Sequence, residues 1–245
     1  WIVHLSGHAY KNWPYVVVEE SVDHMEIRNQ SILNKFKDER IYCLPFDYEN
    51  FDHQASTEDV VTIYEIISNM ARRNVTYSGL EEYDKISLNI KKSFYDSKLY
   101  HNESGTKHEF TVTGGLMTGM RITSIVGNAW NVVVTTWARK LTEQLTGPIA
   151  DFSLNIMGDD SNIMSSNYDQ LYLLFLILDS IGAKGNPQKF GIHINKTEFL
   201  RIWYEDKLNG YPLRIIPTIQ QRKPWSNDPW TREDALRITY DNLMT

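Results

Sequence analysis

The sequence predicts an α+β domain in which an antiparallel β-sheet packs on helices. Three features predict it: a short apolar run over residues 40–46 that ends against Asp47, apolar residues recurring at helical spacing in four later stretches, and two pairs of strand-like segments joined by turn residues. With 42% of its 245 residues apolar, the chain has material for a substantial core. No repeat or low-complexity tract divides it, so one integrated domain is the simplest organisation.

Residues 40–46 read as a buried strand, and Asp47 follows where that strand ends. Ser56 opens a helix: Ser56 and Asp59 match the S-x-x-D capping pattern, and Val60, Ile63, Tyr64, Ile67, Met70 and Ala71 recur at helical spacing, so the helix packs on the strand. Residues 82–94 read as a second helix. Residues 98–101 and 108–113 then flank Glu103-Ser104-Gly105-Thr106, a hairpin turn whose second arm runs into Gly114-Gly115. A long helix is expected over residues 122–145. After Gly147-Pro148, Phe152, Leu154 and Ile156 alternate as in a half-buried strand. Gly158-Asp159-Asp160 interrupts that strand and residues 161–164 resume it, which predicts a hairpin tip presenting both carboxylates outward. Residues 168–181 are helical and end at Gly182. The clusters at 190–194, 197–204 and 211–216 read as short strands around turns.

Charge and composition narrow the function. The net charge of −6 argues against nucleic-acid binding, because phosphate neutralisation needs lysine and arginine. Its distribution weakens the objection: residues 184–223 hold eight basic and three acidic side chains, a local +5. Taken alone, that stretch is a solvated charged face. Trp203, Tyr204, Trp225 and Trp230 accompany it and would serve for stacking on RNA, but large aromatics are mostly core, so they carry no site assignment. The longest apolar run, residues 171–178, is far short of the roughly 20 residues a membrane-spanning helix needs. Cys43 is the one cysteine; it has no disulfide partner in the chain and suits a reducing compartment. His4, His8, His24, His53, His101, His108 and His193 show no zinc-ligand spacing with it.

The acidic residues carry the chemistry. Asp47-x4-Asp52 at a strand end and Asp159-Asp160 in a turn supply four carboxylates from segments far apart in sequence. Each alone is an ordinary turn or cap residue. Between them lies Gly114-Gly115-Leu116-Met117-Thr118-Gly119-Met120-Arg121-Ile122-Thr123, leading into a helix with Asn128 and Asn131. This ordered set resembles motifs A, B and C of the viral RNA-dependent RNA polymerases, and its wording is most similar to those of double-stranded RNA viruses of the totivirus-like group. Asn186-Pro187-Gln188-Lys189 fits motif D, and Thr197-Glu198-Phe199-Leu200-Arg201 fits the motif E region.

The resemblance implies a polymerase palm, with part of the fingers, over residues 1–201. Motif A lies at about 41–54, B at 114–131, C at 154–163, D at 180–191 and E at 197–204, and residues 205–245 begin the thumb or a C-terminal extension. Trp1 is not a start methionine, and the chain reads as a segment of a larger polymerase whose remaining fingers precede it and whose thumb mostly follows it. Such a segment alone is expected to be inactive or feeble.

Nucleotidyl transfer is an in-line displacement that two Mg²⁺ or Mn²⁺ ions can assist, and hard cations prefer carboxylate oxygens. The resemblance makes Asp47 and Asp159 the metal bridges, followed by Asp160, with the Tyr48 carbonyl as an extra ligand. It assigns protonation of the leaving pyrophosphate to Lys189, whose alternative reading is a surface lysine. Asp52, Thr123 and Asn128 are the candidates for sensing the ribose 2′-OH, and Thr118 and Gly119 for contacting the nucleotide. One departure stands out: many members carry asparagine where this chain has Gly127, and Asn128 comes one place later, about 100° around the helix. Either Asn128 reaches the ribose through a shifted helix start, or Asp52 and Thr123 do more of the selection. Asn131 matches a second family asparagine or is structural. Gly114, Gly115 and Gly119 give the loop freedom to move, or are plain turn residues.

The implied activity is template-directed RNA synthesis for viral genome replication and transcription, in the host cytoplasm or inside the viral particle. Template RNA, nascent RNA, ribonucleoside triphosphates and a capsid protein are the implied partners. Two other readings stay open. One is a reverse transcriptase or DNA polymerase of the same palm type, which would usually place a bulky aromatic at Asp52. The other is a non-catalytic RNA-binding relic, against which the intact Asp47, Asp159 and Asp160 argue.

Overall fold

The computed structural model describes residues 10, 13–18, 20–103, 105–116, 122–186, 191–210, 233 and 236–237. Its centre is a four-stranded sheet in the order β4-β5-β1-β6, formed by β1 (Tyr42–Asp47), β4 (Ser153–Met157), β5 (Asp160–Ser165) and β6 (His193–Ile194). All its ladders are antiparallel, so the predicted α+β class with an antiparallel sheet holds. The central strands are covered on both faces, which is why residues 41–46 read as a nearly continuous apolar run rather than an alternating one.

Leu44, Phe46, Leu154, Ile156 and Ile163 belong to a core shared with three helices. These are α3 (Thr57–Arg72), α5 (Thr123–Thr146) and α6 (Tyr168–Ser180), which contribute Val60, Tyr64, Ile125, Val126, Trp130, Leu171 and Leu174, among others. On the other face Cys43 and Met164 pack with Ile32 and Phe36 of α1 (Val22–Asp38), and with Phe199 and Tyr204. The last two belong to β7 (Thr197–Phe199) and β8 (Ile202–Tyr204), which with β9 (Leu208–Gly210) form a small antiparallel sheet.

The helix starting at Ser56 carries a complete capping box: the Asp59 N–H donates to Ser56 Oγ at 3.1 Å, and the Ser56 N–H donates to Asp59 Oδ2 at 3.0 Å. The second predicted helix is α4 (Leu80–Tyr95). The first hairpin is β2 (Lys98–Glu103) and β3 (Thr106–Thr111), a two-stranded ribbon with all twelve residues exposed.

Sequence reasoning missed α1, whose buried side is only Asn29, Ile32, Leu33 and Phe36 on an otherwise polar helix. It also missed the single turn α2 (Phe51–Gln54), too short for periodicity to show, and β9. The strand cluster expected at 211–216 lies outside the described residues.

Candidate active site

The β1–β5 register builds the site. Asp47 ends β1 and is the Cα partner of Asp160 at the start of β5, while Met157 pairs with Asp160 across the β4–β5 turn. Gly158 and Asp159 are thus the whole turn; Gly158 has φ +65°, which glycine adopts without strain. Directly paired residues project to one face with Cβ atoms about 4.5–5.5 Å apart, so Asp47 and Asp160 are side-by-side carboxylates with Asp159 at the next position.

The expectation that both turn carboxylates point outward needs correction. Asp159 is exposed, but Asp160 is a half-buried strand residue whose Oδ2 accepts the Leu200 N–H at 2.8 Å. The physical reason is the two-residue loop, which leaves Asp160 inside the ladder, facing the β7–β8 turn.

Asp47 is also held from outside its strand. The Asn186 Nδ2 donates to Asp47 Oδ2 at 3.2 Å, and the Asn186 N–H donates to the Asp47 carbonyl at 2.7 Å. This latter bond and the Glu49 N–H to the Lys184 carbonyl flank an antiparallel bridge between Tyr48 and Gly185. Tyr48 is therefore in a non-hydrogen-bonded pair, and its own carbonyl is directed to the other edge of the strand, the side where β5 and the acidic turn lie. The Tyr48 ring is buried and its hydroxyl donates to Asn131 Oδ1 at 3.0 Å; burial raises its pKa, keeping the phenol protonated.

A cleft of about 480 Å³ opens beside the turn, and its walls include Asp52, Thr123, Gly127, Asn128, Gly158 and Asp159. The structure thus gathers all three proposed ribose sensors with Asp159, while Asp47, Tyr48 and Asp160 are not among the cleft walls. Asn128 is 1% exposed and its amide is occupied: Nδ2 donates to the Ser124 carbonyl at 2.8 Å, and Oδ1 accepts the Gly158 N–H at 2.9 Å. Each polar atom of the Asn128 amide thus already has a partner inside the protein.

A Cβ at Gly127 would lie 3.1 Å from Phe51 Cε1 and 3.3 Å from Leu116 Cδ2, so the ring of Phe51 fills the space a family asparagine would use. The glycine loop is likewise not loose at its start. Gly115 has φ +94°, its N–H donates to the Ala55 carbonyl at 2.9 Å, and a Cβ there would lie 2.8 Å from the Asp52 carbonyl oxygen. Close approach, rather than freedom to move, explains Gly115. Thr118, Gly119 and Lys189 lie outside the described residues.

Sequence reasoning missed Asn186 and the Leu200 amide as holders of Asp47 and Asp160. Asn186 was visible only as part of a motif match, and a backbone amide leaves no residue-type signal.

Among the described residues, no three carboxylate, imidazole or thiol groups converge as a preformed metal cage. Mg²⁺ bound through one or two carboxylates, with water and substrate phosphates completing its shell, requires none, and the paired Asp47 with the adjacent turn Asp159 fit that mode.

A sequence model described as viral RNA-directed RNA-polymerase matches residues 1–221. Among solved structures, the RNA-dependent RNA polymerase of a human picorbirnavirus superposes with a TM-score of 0.65 at 12% identity, covering 99% of this chain and 45% of that one. Its insertion-loop deletion mutant gives 0.64 at 13%, again covering 99% and 45%. Apo telomerase from Candida Tropicalis, truncated from its C-terminal domain, gives 0.62 at 17%, covering 86% and 44%. At such identities the likeness concerns the fold, and the chain spans less than half the length of these structures. A search of curated protein sequences finds no match.

Proposed function

Because the chain belongs to the viral RNA-directed RNA-polymerase family, we propose that it carries the palm of an enzyme that adds ribonucleotides to an RNA 3′ end under the direction of an RNA template. The observation that carries this reading is the β1–β5 register, which sets Asp47 against Asp160 with Asp159 beside them. Residues 1–201 make up the palm with part of the fingers, and residues 205–245 lead into the thumb or an extension. The host cytoplasm or the particle interior is the proposed place of work. Nothing supports a capsid-protein partner, and none is proposed.

Asp47, Asp159 and the Tyr48 carbonyl would hold divalent cations in this scheme, with Asp160 in support. Cations held there would supply activation of the 3′-hydroxyl and neutralisation of charge on the triphosphate. Asn186 and the Leu200 amide orient the carboxylates they bond. The RNA 3′-hydroxyl releases its proton to solvent as its oxygen bonds to the α-phosphorus and the bond to pyrophosphate breaks, and Lys189, three residues after Asn186, supplies a proton to the leaving group. In the cleft, Asp52 and Thr123 engage the ribose 2′-OH, and Thr118 and Gly119 contact the nucleotide.

Reverse transcription by a palm of the same type is the second reading, since the fold is also similar to that of a telomerase. Asp52 on the cleft wall favours the ribose. Primer extension by the full-length polypeptide on an RNA template, with ribonucleotides or deoxyribonucleotides, tests both. Ribonucleotide addition that drops to background in Asp159→Asn, with an unchanged thermal transition, is the expected result. Wild-type rates in that variant would remove Asp159 from the site, and equal use of both sugars would refute the ribose assignment.

A further inference from the structure

Two asparagines on one face of α5 grip both sides of the turn that carries Asp159. We infer that Asn128 and Asn131 are positioning residues that fix this aspartate relative to Asp47; the inference rests on the polymerase reading above.

The geometry is specific. Asn128 Oδ1 accepts the Gly158 N–H at 2.9 Å, and Asn131 Nδ2 donates to the Gly158 carbonyl at 2.8 Å. A backbone N–H only donates and a carbonyl only accepts, so these partners dictate which way each amide faces. Residues three apart lie on one helix face, which is how a single rigid element reaches both peptide groups of one glycine. A Cβ at Gly158 would meet nothing within 4 Å, so the glycine is required by its φ of +65° and not by crowding. Its carbonyl belongs to the peptide that leads into Asp159, so holding that carbonyl orients the aspartate.

Asn131 does more. It is fully buried, its Nδ2 also donates to Ser161 Oγ at 2.9 Å, and its Oδ1 accepts from the Tyr48 hydroxyl at 3.0 Å and from Thr135 Oγ1 at 3.1 Å. One side chain therefore bonds the residue after Asp47 and the residue before Asp159. Asp47 ends one strand and Asp159 lies in the turn between two others, and Asn131 spans them from a helix anchored in the core by Ile125, Val126 and Trp130. Outer partners of this kind set ligand placement, and their loss typically reduces metal affinity or activity by roughly 10–100-fold.

The same chemical change at the two positions separates this role from simple core filling. In Asn128→Asp an oxygen still faces the Gly158 N–H, and the second oxygen meets only the Ser124 carbonyl of its own helix, whereas Asn131→Asp sets a second oxygen against the Gly158 carbonyl of the turn itself. Primer extension by the full-length polypeptide, with nucleotide and Mg²⁺ titrated separately, should show Asn131→Asp losing roughly 10–100-fold in kcat. Its Mg²⁺ requirement should rise while KM for the nucleotide holds. Asn128→Leu, which keeps the volume and removes the acceptor, should lose about tenfold more than Asn128→Asp.

In metal-free protein, hydrogen exchange over residues 157–160 should quicken in Asn128→Leu and stay slow in Asn128→Asp. Equal losses for the two Asn128 variants, or losses with an unmoved Mg²⁺ requirement, overturn the inference. If Asn131→Asp shows no cooperative thermal transition, the Asn128 pair and the exchange rates decide. Absence of templated addition by the parent polypeptide would instead sink the polymerase reading, whereas an active parent and an inactive Asp159→Asn with indifferent asparagine variants sink only the positioning role.

Discussion

Asp52 does two separable things. Its backbone carbonyl accepts the Leu116 N–H at 2.6 Å, tying the segment after the ribbon to the turn α2, while its side chain helps to line the cleft beside Thr123. Removing the carboxylate leaves the backbone tie intact, so Asp52→Ala should fold normally. A hydrogen bond to a charged group contributes about 1.5–3 kcal/mol, so the preference for ribonucleotides over deoxyribonucleotides should fall roughly 10–100-fold. Competitive incorporation of the two sugars measures this ratio, and an unchanged ratio would exclude Asp52 from sugar selection. At this scale the acids were legible in the sequence because their residue types and spacing are their chemistry. Their holders were not: Asn186 touches Asp47 from 139 positions away, and Leu200 contributes only an amide.

Elements differ in how plainly they announce themselves. The α3 helix was readable because the Ser56 and Asp59 side chains cap it locally, whatever the rest of the chain does. Ser56→Ala removes the acceptor for the Asp59 N–H and should cost about 1 kcal/mol. Chemical denaturation of the variant against the parent gives that difference directly, and a change near zero would mean that packing alone fixes the helix start. The β7–β8 turn is a contrary case. Leu200 and Arg201 have φ of +52° and +63°, a pairing that glycine and asparagine usually fill, so local preference argues against the observed turn. Burial of Phe199 and Tyr204 on either side, together with the Leu200 bond to Asp160, holds it. The β2–β3 ribbon was recognisable from its turn residues, yet nothing in its alternation reveals that both faces stay exposed.

Over the whole molecule, Cys43 reports on global integrity. It is fully buried between the central sheet and the α1 side, and burial pushes its thiol up to about 12 from an ordinary 9.0. The folded chain thus keeps a proton that the unfolded chain releases, so Cys43 lowers stability as pH rises from about 9 towards 12 and is neutral to it below that window. A thiol reagent at pH 8 should label the native protein only at its rate of global opening, and rapid labelling would show that the strand is locally accessible. The fold class was legible because its elements carry their own periodicities. The pairing order β4-β5-β1-β6 was not, since no local pattern states which strand lies beside which.

That order has a consequence for biosynthesis. A polypeptide leaving the ribosome exposes Asp47 long before Asp159 is made, and only the finished β1–β5 ladder joins them. A nascent or prematurely terminated product lacking β5 therefore carries Asp47 without the acidic turn, so on the proposed reading competence waits for the long-range β1–β5 pairing.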